Sequence, residues 1–300
     1  MSAIEIIEVS PRDGLQNEQT IVSTADKIRL IERSIAAGAR RIRAMSFLPP
    51  GLVPAVAGAG AGMAGLPRGG DVSYIGLVLN ETGMHRAARA GLDVVNFVLP
   101  VTDEFAAANQ NSSVEAIIAQ IEASAPYAVE AGIGVSVTLA VAFGCPYRGE
   151  VSVDEVERVA RAVLAVAPVD ELALADTIGC GVPGQTSELF ARMRKITDAP
   201  LRGHFHETRH TAIANAFAAI GQGVLRLDSS VGGLGGCPFA PGAAGNVSTE
   251  GLVWALGRDG HTTTLFAEIA AETGRWISGL VGGAPRSGLS SAGAFPPRRP

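Results

Sequence analysis

The sequence predicts a (β/α)8 barrel, a TIM-type closed parallel sheet ringed by helices, with extra helices at the C-terminal end. Three observations carry that prediction. Short apolar runs alternate with amphipathic helical stretches eight times along the chain. Each unit is about thirty residues long, the size of one strand–helix repeat. No predicted strand runs directly into a G-x-G-x-x-G turn that opens a helix, which disfavours a doubly wound nucleotide-binding sheet.

The first strand is Ile4 to Val9, ending in Ser10-Pro11-Arg12-Asp13-Gly14. Ser23-Thr24 supplies a helix cap, Ile28, Leu30, Ile31 and Ile35 recur at helical spacing, and Gly38 closes the helix. Strand two is Arg41 to Phe47, broken by Pro49-Pro50-Gly51, and the Ala/Gly stretch from Ala55 to Gly70 reads as a loose helix. Strand three, Val72 to Leu79, precedes a helix around Gly83–Ala90. Strand four, Asp93 to Leu99, stops at Pro100 and is followed by a long helix over Ser113–Ala131. Strand five is Gly134 to Ala142, and Ser152 with Glu155 forms a capping box for the next helix. Strand six, Glu171 to Ala175, ends in Asp176-Thr177-Ile178-Gly179, and a helix covers Gln185–Thr197. Strand seven holds His204 and His206, with a helix over Thr211–Gly221. Strand eight is Val224 to Asp228, and helices near Thr249–Leu256 and Thr264–Ile277 complete the chain.

The chain has 300 residues, 47% of them hydrophobic, enough for one large core. Residues 1–284 are expected to form the barrel. The Pro-, Ser- and Gly-rich stretch 285–300 is expected to be a disordered tail. The net charge of −5 and the lack of a basic stripe argue against a nucleic-acid partner. Every apolar run is too short for the ~20 residues of a membrane helix, and the acidic N-terminus does not resemble a signal peptide. Three cysteines, Cys145, Cys180 and Cys237, have no paired spacing, which points to a reducing cytoplasm rather than a disulfide framework.

Alternate residues of a strand face one way, so His204 and His206 project together. Barrel chemistry gathers at the C-terminal ends of strands. That rule brings together Asp13 after strand one, His204 and His206 at strand seven, and Asn246 after strand eight; strands one, seven and eight are neighbours once the barrel closes. One carboxylate, two imidazoles and an amide oxygen suit Mg²⁺ or Mn²⁺, with Zn²⁺ also compatible. Each assignment has a plainer competitor. Arg12–Asp13 could be a surface ion pair, Cys237 a small buried hydrophobe, Asp176 a turn cap, and Glu250 a first-turn helix acid. Cys145 and Cys180 are read as inert, and His85, His210 and His261 as surface or packing residues.

Several motifs in this order resemble the 3-hydroxy-3-methylglutaryl-CoA lyase family, within a wider superfamily of metal-dependent TIM-barrel lyases. They are Pro11-Arg12-Asp13-Gly14-Leu15-Gln16-Asn17-Glu18, Gly144-Cys145-Pro146-Tyr147, Asp176-Thr177-Ile178-Gly179, His204-x-His206, Gly232-Gly233-Leu234-Gly235-Gly236-Cys237-Pro238 and Gly245-Asn246-x-x-Thr249-Glu250. The resemblance runs from about Ile4 to Leu280. It implies a carbon–carbon lyase that splits a 3-hydroxyacyl-CoA into acetyl-CoA and a keto acid, in leucine degradation for the methylglutaryl substrate, and a homodimer. It implies metal ligation by Asp13, His204, His206 and Asn246, and catalysis by Arg12, Asp13, His204 and Cys237. Arg12 would hold the thioester oxygen, and Cys237 would protonate the leaving enolate. Gln16, Arg43, Asp176, Thr208 and Glu250 would bind substrate or support the metal ligands. The alternatives on the same scaffold are a lyase for another 3-hydroxyacyl-CoA, a Claisen-type synthase or aldolase, and a catalytically inactive relative.

The chain departs from the family pattern at defined places. The family's strand-two glutamate is Arg43 here, a reversal of charge. The Ser-Pro-x-x-Val-Pro pattern that follows is altered to Pro49-Pro50-Gly51-Leu52-Val53-Pro54. The Asp-Thr-Tyr-Gly after the histidines is Glu207-Thr208-Arg209-His210, and the lysines expected after Phe105 are Ala107 and Ala108. These changes predict a divergent member, with the methylglutaryl thioester the first candidate substrate.

Overall fold

A computed structural model describes residues 2–48, 59–236, 245–293 and 295. Its eight strands close into one parallel barrel in sequence order. They are β1 (Glu5–Glu8), β2 (Arg41–Ser46), β3 (Ser73–Val78), β4 (Val94–Pro100), β5 (Gly134–Ala140), β6 (Glu171–Asp176), β7 (Leu201–Phe205) and β8 (Arg226–Ser229). Closure is the β1–β8 pairing, with Glu5 opposite Arg226 and Glu8 opposite Ser229. One irregularity lies between β2 and β3, where the register shifts between Arg43 and Met45. Such a bulge re-aims the side chains beyond it and is common beside active sites.

The helices are α1 (Thr24–Ala36), α2 (Ala59–Ala64), α3 (Glu81–Arg89), α4 (Asp103–Gln110), α5 (Val114–Glu130), α6 (Val153–Val166), α7 (Pro183–Met193), α8 (Ala212–Gly221), α9 (Thr249–Arg258), α10 (Ala267–Leu280) and α11 (Gly288–Ala292). The caps fall where the sequence places them: Ser23 accepts from the Asp26 amide and Ser152 from the Glu155 amide.

Four local differences from the sequence reading have physical causes. Helix α4 was not expected, because eight residues carry too little apolar period to be read; the Thr102 side chain caps it and left-handed Asn111 (φ 50°) ends it. Only Ala59–Ala64 of the loose helix expected over Ala55–Gly70 is helical among the described residues. Strand β7 stops at Phe205, so His206 lies just past it, in an isolated antiparallel bridge with Asn246. Part of the expected disordered tail is the short helix α11, anchored by Ser290 Oγ donating to Glu250 at 2.8 Å.

The main apolar core lies between the outer sheet face and the helices. The lumen is different. Ile7, Val9 and Ile75, with Val94, form a small separate apolar cluster. Much of the rest is polar: Arg202 Nη1 donates to Glu171 at 2.6 Å, and Arg202 Nη2 donates to Asn96 at 3.0 Å. Strands β4 and β7 are not neighbours, so the Arg202–Asn96 bond must cross the lumen. Glu171 also accepts from Arg41 and Arg226, which both pair with Glu5. A layered ionic network therefore fills one end of the barrel and leads up to the candidate site.

Candidate metal centre

The site begins with alternation on β7. Gly203 and Phe205 face outward, where the Phe205 ring lies 6.4 Å from Phe190 of α7 and 5.8 Å from Phe143. Arg202 and His204 consequently face the lumen. His206 keeps the same direction because the chain after β8 returns alongside β7. The Val247 amide donates to Phe205 O, and the Glu207 amide to Gly245 O, each at 3.0 Å. That pairing sets Asn246 next to His206.

From the other side comes the turn Ser10–Gly14, wound as one wide π-type turn with Pro11 in its first positions. The amides of Arg12, Asp13 and Gly14 all converge on Val9 O, and Asp13 is presented at the barrel mouth. A Cβ on Gly14 would lie 2.8 Å from Ser230 Oγ and 3.1 Å from the Leu234 Cβ, so glycine lets this turn sit against the loop after β8.

These elements bring the sequence-predicted residues together. The His204 and His206 Nε2 atoms are 3.2 Å apart, and His204 Nε2 is 3.9 Å from Asp13 Oδ2. One ligand atom from each of Asp13, His204 and His206 lies within 4.8 Å of the others, a group that could hold a metal ion. Asn246 Nδ2 donates to Asp13 Oδ2 at 3.0 Å and to Leu234 O at 3.1 Å. Its Oδ1 is buried with no hydrogen-bond partner among the described residues. A buried acceptor left open beside a carboxylate and two imidazoles fits a hard divalent cation.

Arg12 is buried and its Nη1 lies 2.5 Å from Asp13 Oδ1. Burial works against the Asp13 charge, but Arg12, His204, Arg43 and His206 overcome it and hold the carboxyl well below the usual range. Burial, reinforced by His204, pushes His206 down to about 4, so it is neutral and a competent ligand at neutral pH.

Arg43 is buried on β2, and its Nη2 donates to Asp228 Oδ2 at 3.1 Å. That oxygen also lies 3.0 Å from His204 Nδ1. The other Asp228 oxygen is 3.3 Å from Arg202 Nε, an ion pair without hydrogen-bond alignment. Burial opposes the Asp228 charge too, and Arg202, Arg43 and His204 outweigh it, keeping the carboxyl low. The sequence reading did not single out Asp228 or Arg202 as site residues. The strand-end rule already used for Asp13 applies equally to Asp228 on β8.

The remaining candidates stand around this centre. Asp176 ends β6 and accepts from the Cys180 amide at 2.8 Å and the Gly181 amide at 3.0 Å, which is the geometry of a turn cap. Thr208 packs against the same turn: a Cβ on left-handed Gly179 would lie 2.6 Å from Thr208 Oγ1. Gln16 follows the Asp13 turn, with a buried Oε1 that has no partner among the described residues. Glu250 opens α9 and accepts from the Gly232 amide at 3.1 and 3.2 Å, so it holds the glycine loop and not the metal cluster. Cys237 lies outside the described residues. Cys145 is buried with Thr102 Oγ1 3.2 Å from its sulfur, and burial beside Asp176 pushes the Cys180 thiol up to about 12. His85 and His210 are exposed, and His261 is 3.5 Å from Asp259. A cavity of about 1060 Å³ has Asn246 in its wall and runs out past Trp254 and Leu289.

A family model described as HMGL-like matches residues 3–275. The chain belongs to the HMGL-like family. It is 41% identical over 288 residues to the hydroxymethylglutaryl-CoA lyase of Pseudomonas mevalonii, covering 96% of this chain and 95% of that protein. It is also 36% identical over 293 residues to the (R)-citramalyl-CoA lyase of Chloroflexus aurantiacus, covering 94% and 92%. Among solved structures, the HMG-CoA lyase from Acenitobacter baumannii in complex with coenzyme A and 3-methylmalate superposes with a TM-score of 0.94 at 34% identity, over 99% of this chain and 97% of that one. Membership of the HMGL-like family makes this protein a carbon–carbon lyase. No helix among the described residues is long and apolar enough to cross a membrane.

Proposed function

We propose that this protein cleaves a 3-hydroxy-3-methylglutaryl-CoA-like thioester to acetyl-CoA and a keto acid, which is acetoacetate for the methylglutaryl compound. The observation that carries the reading is the convergence of Asp13, His204 and His206 at the barrel mouth, with the open Asn246 oxygen beside them and Arg12 on Asp13. These four ligands suit Mg²⁺ or Mn²⁺, with Zn²⁺ also compatible. When bound, such an ion lowers the pKa of a substrate hydroxyl that chelates it.

The reaction breaks the bond between the carbon bearing the hydroxyl and the carbon next to the thioester. The hydroxyl proton must leave, and its oxygen becomes the ketone. The electron pair of the broken bond passes into the thioester as an enolate. Asp13, ionised at neutral pH, is the group that would receive the hydroxyl proton, while His204 would hold the ion. Arg12 supplies a fixed cation for the charge that develops on the thioester oxygen, and its buried Nε has no partner among the described residues. The enolate then takes a proton, a role assigned to Cys237 on sequence resemblance alone. The cavity beside Asn246 offers room for the arm of an acyl-CoA. A homodimer in the cytoplasm completes the proposal.

A second substrate has specific support. Arg43 places a cation below the site where the family pattern has an acid, and a citramalyl-CoA lyase is among the relatives. The test is acetyl-CoA release with Mg²⁺ from the methylglutaryl and citramalyl thioesters side by side. Preference for the first supports the main reading, and preference for the second supports the alternative. The Asp13→Asn variant is expected to lose Mn²⁺ affinity by more than roughly a hundredfold, beyond the cost of removing an outer partner. Unchanged Mn²⁺ binding and turnover in that variant would remove the site from the mechanism.

A further inference from the structure

The contacts beneath His204 carry a role that the metal ligands alone do not explain. His204 is buried and presents its two ring nitrogens to different partners. Nε2 faces His206 Nε2 at 3.2 Å and Asp13 Oδ2 at 3.9 Å. Nδ1 faces Asp228 Oδ2 at 3.0 Å. Asp228 is fully buried with Arg43 against one carboxyl oxygen and Arg202 against the other, the setting of a carboxylate, which can only accept. The Nδ1 proton is therefore fixed on the Asp228 side, and Nε2 is left with a bare lone pair facing the cluster. An outer carboxylate that fixes a histidine's tautomer also raises its strength as a donor.

Arg43 modifies this arrangement. Its Nη2 donates at 3.1 Å to the same oxygen that receives the His204 proton. Its Nε is buried and finds no acceptor among the described residues. Arg202 approaches the other Asp228 oxygen at 3.3 Å. One carboxylate thus serves two arginines and one imidazole. Arg43 draws Asp228 charge away from His204 and adds a cation one carboxylate removed from the cluster. Both effects weaken the pull of the cluster on a divalent ion.

We propose that Asp228 is a positioning residue that sets the tautomer of His204, and that Arg43 tunes the site to a weaker hold on its ion by sharing the Asp228 oxygen. The proposal deepens the metal-site reading and rests on it for the tuning role; the tautomer stands independently.

Two measurements on the full chain test it. In ¹⁵N-histidine NMR of the metal-free protein, His204 is expected to carry its proton on Nδ1, with the signal assigned by its loss in His204→Gln. Asp228→Asn should abolish that preference. A proton on Nε2 in the unaltered protein overturns the positioning role, even where Asp228→Asn fails to fold because it strands two arginines. In the second measurement, Arg43→Gln should keep the Nδ1 proton and tighten Mn²⁺ binding by about tenfold, the lower end of what outer partners contribute. Arg43→Lys, which keeps the charge, should bind Mn²⁺ like the unaltered protein. Equal or weaker Mn²⁺ binding in a folded Arg43→Gln variant overturns the tuning role. Absence of Mn²⁺ binding in every form would defeat the metal site itself, while the tautomer result would still decide the role of Asp228.

Discussion

Replacing Glu171 by Gln should be among the most damaging single changes outside the site. Its carboxylate accepts from Arg202 at 2.6 Å, from Arg41 at 2.8 and 3.3 Å, from Arg226 at 2.9 Å and from Ser136 at 3.2 Å. Burial would raise its pKa, yet Arg202, Arg41 and Arg226 bring it down from 4.5 to about 2. That depression corresponds to about 3 kcal/mol in favour of the charged form. Burial pulls Arg202 below its ordinary value while the carboxylates hold Arg41 above it, and both stay cationic at any ordinary pH. A carboxylate with a depressed folded pKa contributes its stability above the unfolded value and loses it as pH falls through the folded one. The Glu171 contribution is accordingly complete above about pH 4.5 and gone below about pH 2. A glutamine keeps the shape but leaves three arginines short of an acceptor, a loss of roughly 3–5 kcal/mol for a broken buried ion pair. Urea unfolding at neutral pH should show a clearly lower midpoint, and the variant should lack the part of the acid-induced loss that falls between those pH values. A midpoint matching the unaltered protein, with the same acid limb, would refute the claim that this network supports the barrel.

Buried charges and tight glycine contacts elsewhere in the barrel have measurable consequences too. Glu8 is fully buried and accepts from the Ser10 and Val231 amides and Thr249 Oγ1, and burial lifts its pKa to about 7 despite those bonds. The folded state therefore holds a proton that the unfolded state releases, and stability should fall by about 3 kcal/mol as pH rises from about 4.5 to about 7. Glu8→Gln should flatten that slope in unfolding midpoints measured across the range. Gly274→Ala would place a Cβ 2.6 Å from the Gly232 nitrogen and 3.1 Å from Glu250 Oε1, so backbone must move. A loss of about 1–3 kcal/mol is expected by thermal unfolding, as for other overpacked sites. Arg12→Gln should reduce kcat by roughly a hundred- to thousandfold, the usual cost of one oxyanion donor, with folding retained by circular dichroism.

The barrel was legible because each unit repeats the same physics. An apolar strand is followed by a capped amphipathic helix, and Ser23 and Ser152 cap where side-chain chemistry says they should. The His204 and His206 pair was legible from strand alternation, although His206 keeps its direction through the bridge to Asn246 and not through β7 itself. Helix α4 was not legible, since Phe105 and Ala106 are its only buried residues. Helix α11 was hidden for a related reason: Gly288-Leu-Ser-Ser-Ala292 has no intrinsic helical signature, and its anchor, Glu250, lies forty residues away. Arg202 and Asp228 were missed because a charged residue in a strand ordinarily suggests exposure. Only the closed sheet reveals that Arg202 has Glu171 and Asn96 across the lumen.

The bridge between His206 and Asn246, with Asp13 reaching in from beyond β1, has a consequence for biosynthesis. The atoms of the candidate ion site come from positions 13 to 246, so no early portion of a growing chain owns the complete cluster. On the proposed metal reading, newly made polypeptide would capture an ion here only after the last strand has docked against the first. Retention of a divalent cation would therefore serve as a late checkpoint that distinguishes finished molecules from partly assembled ones.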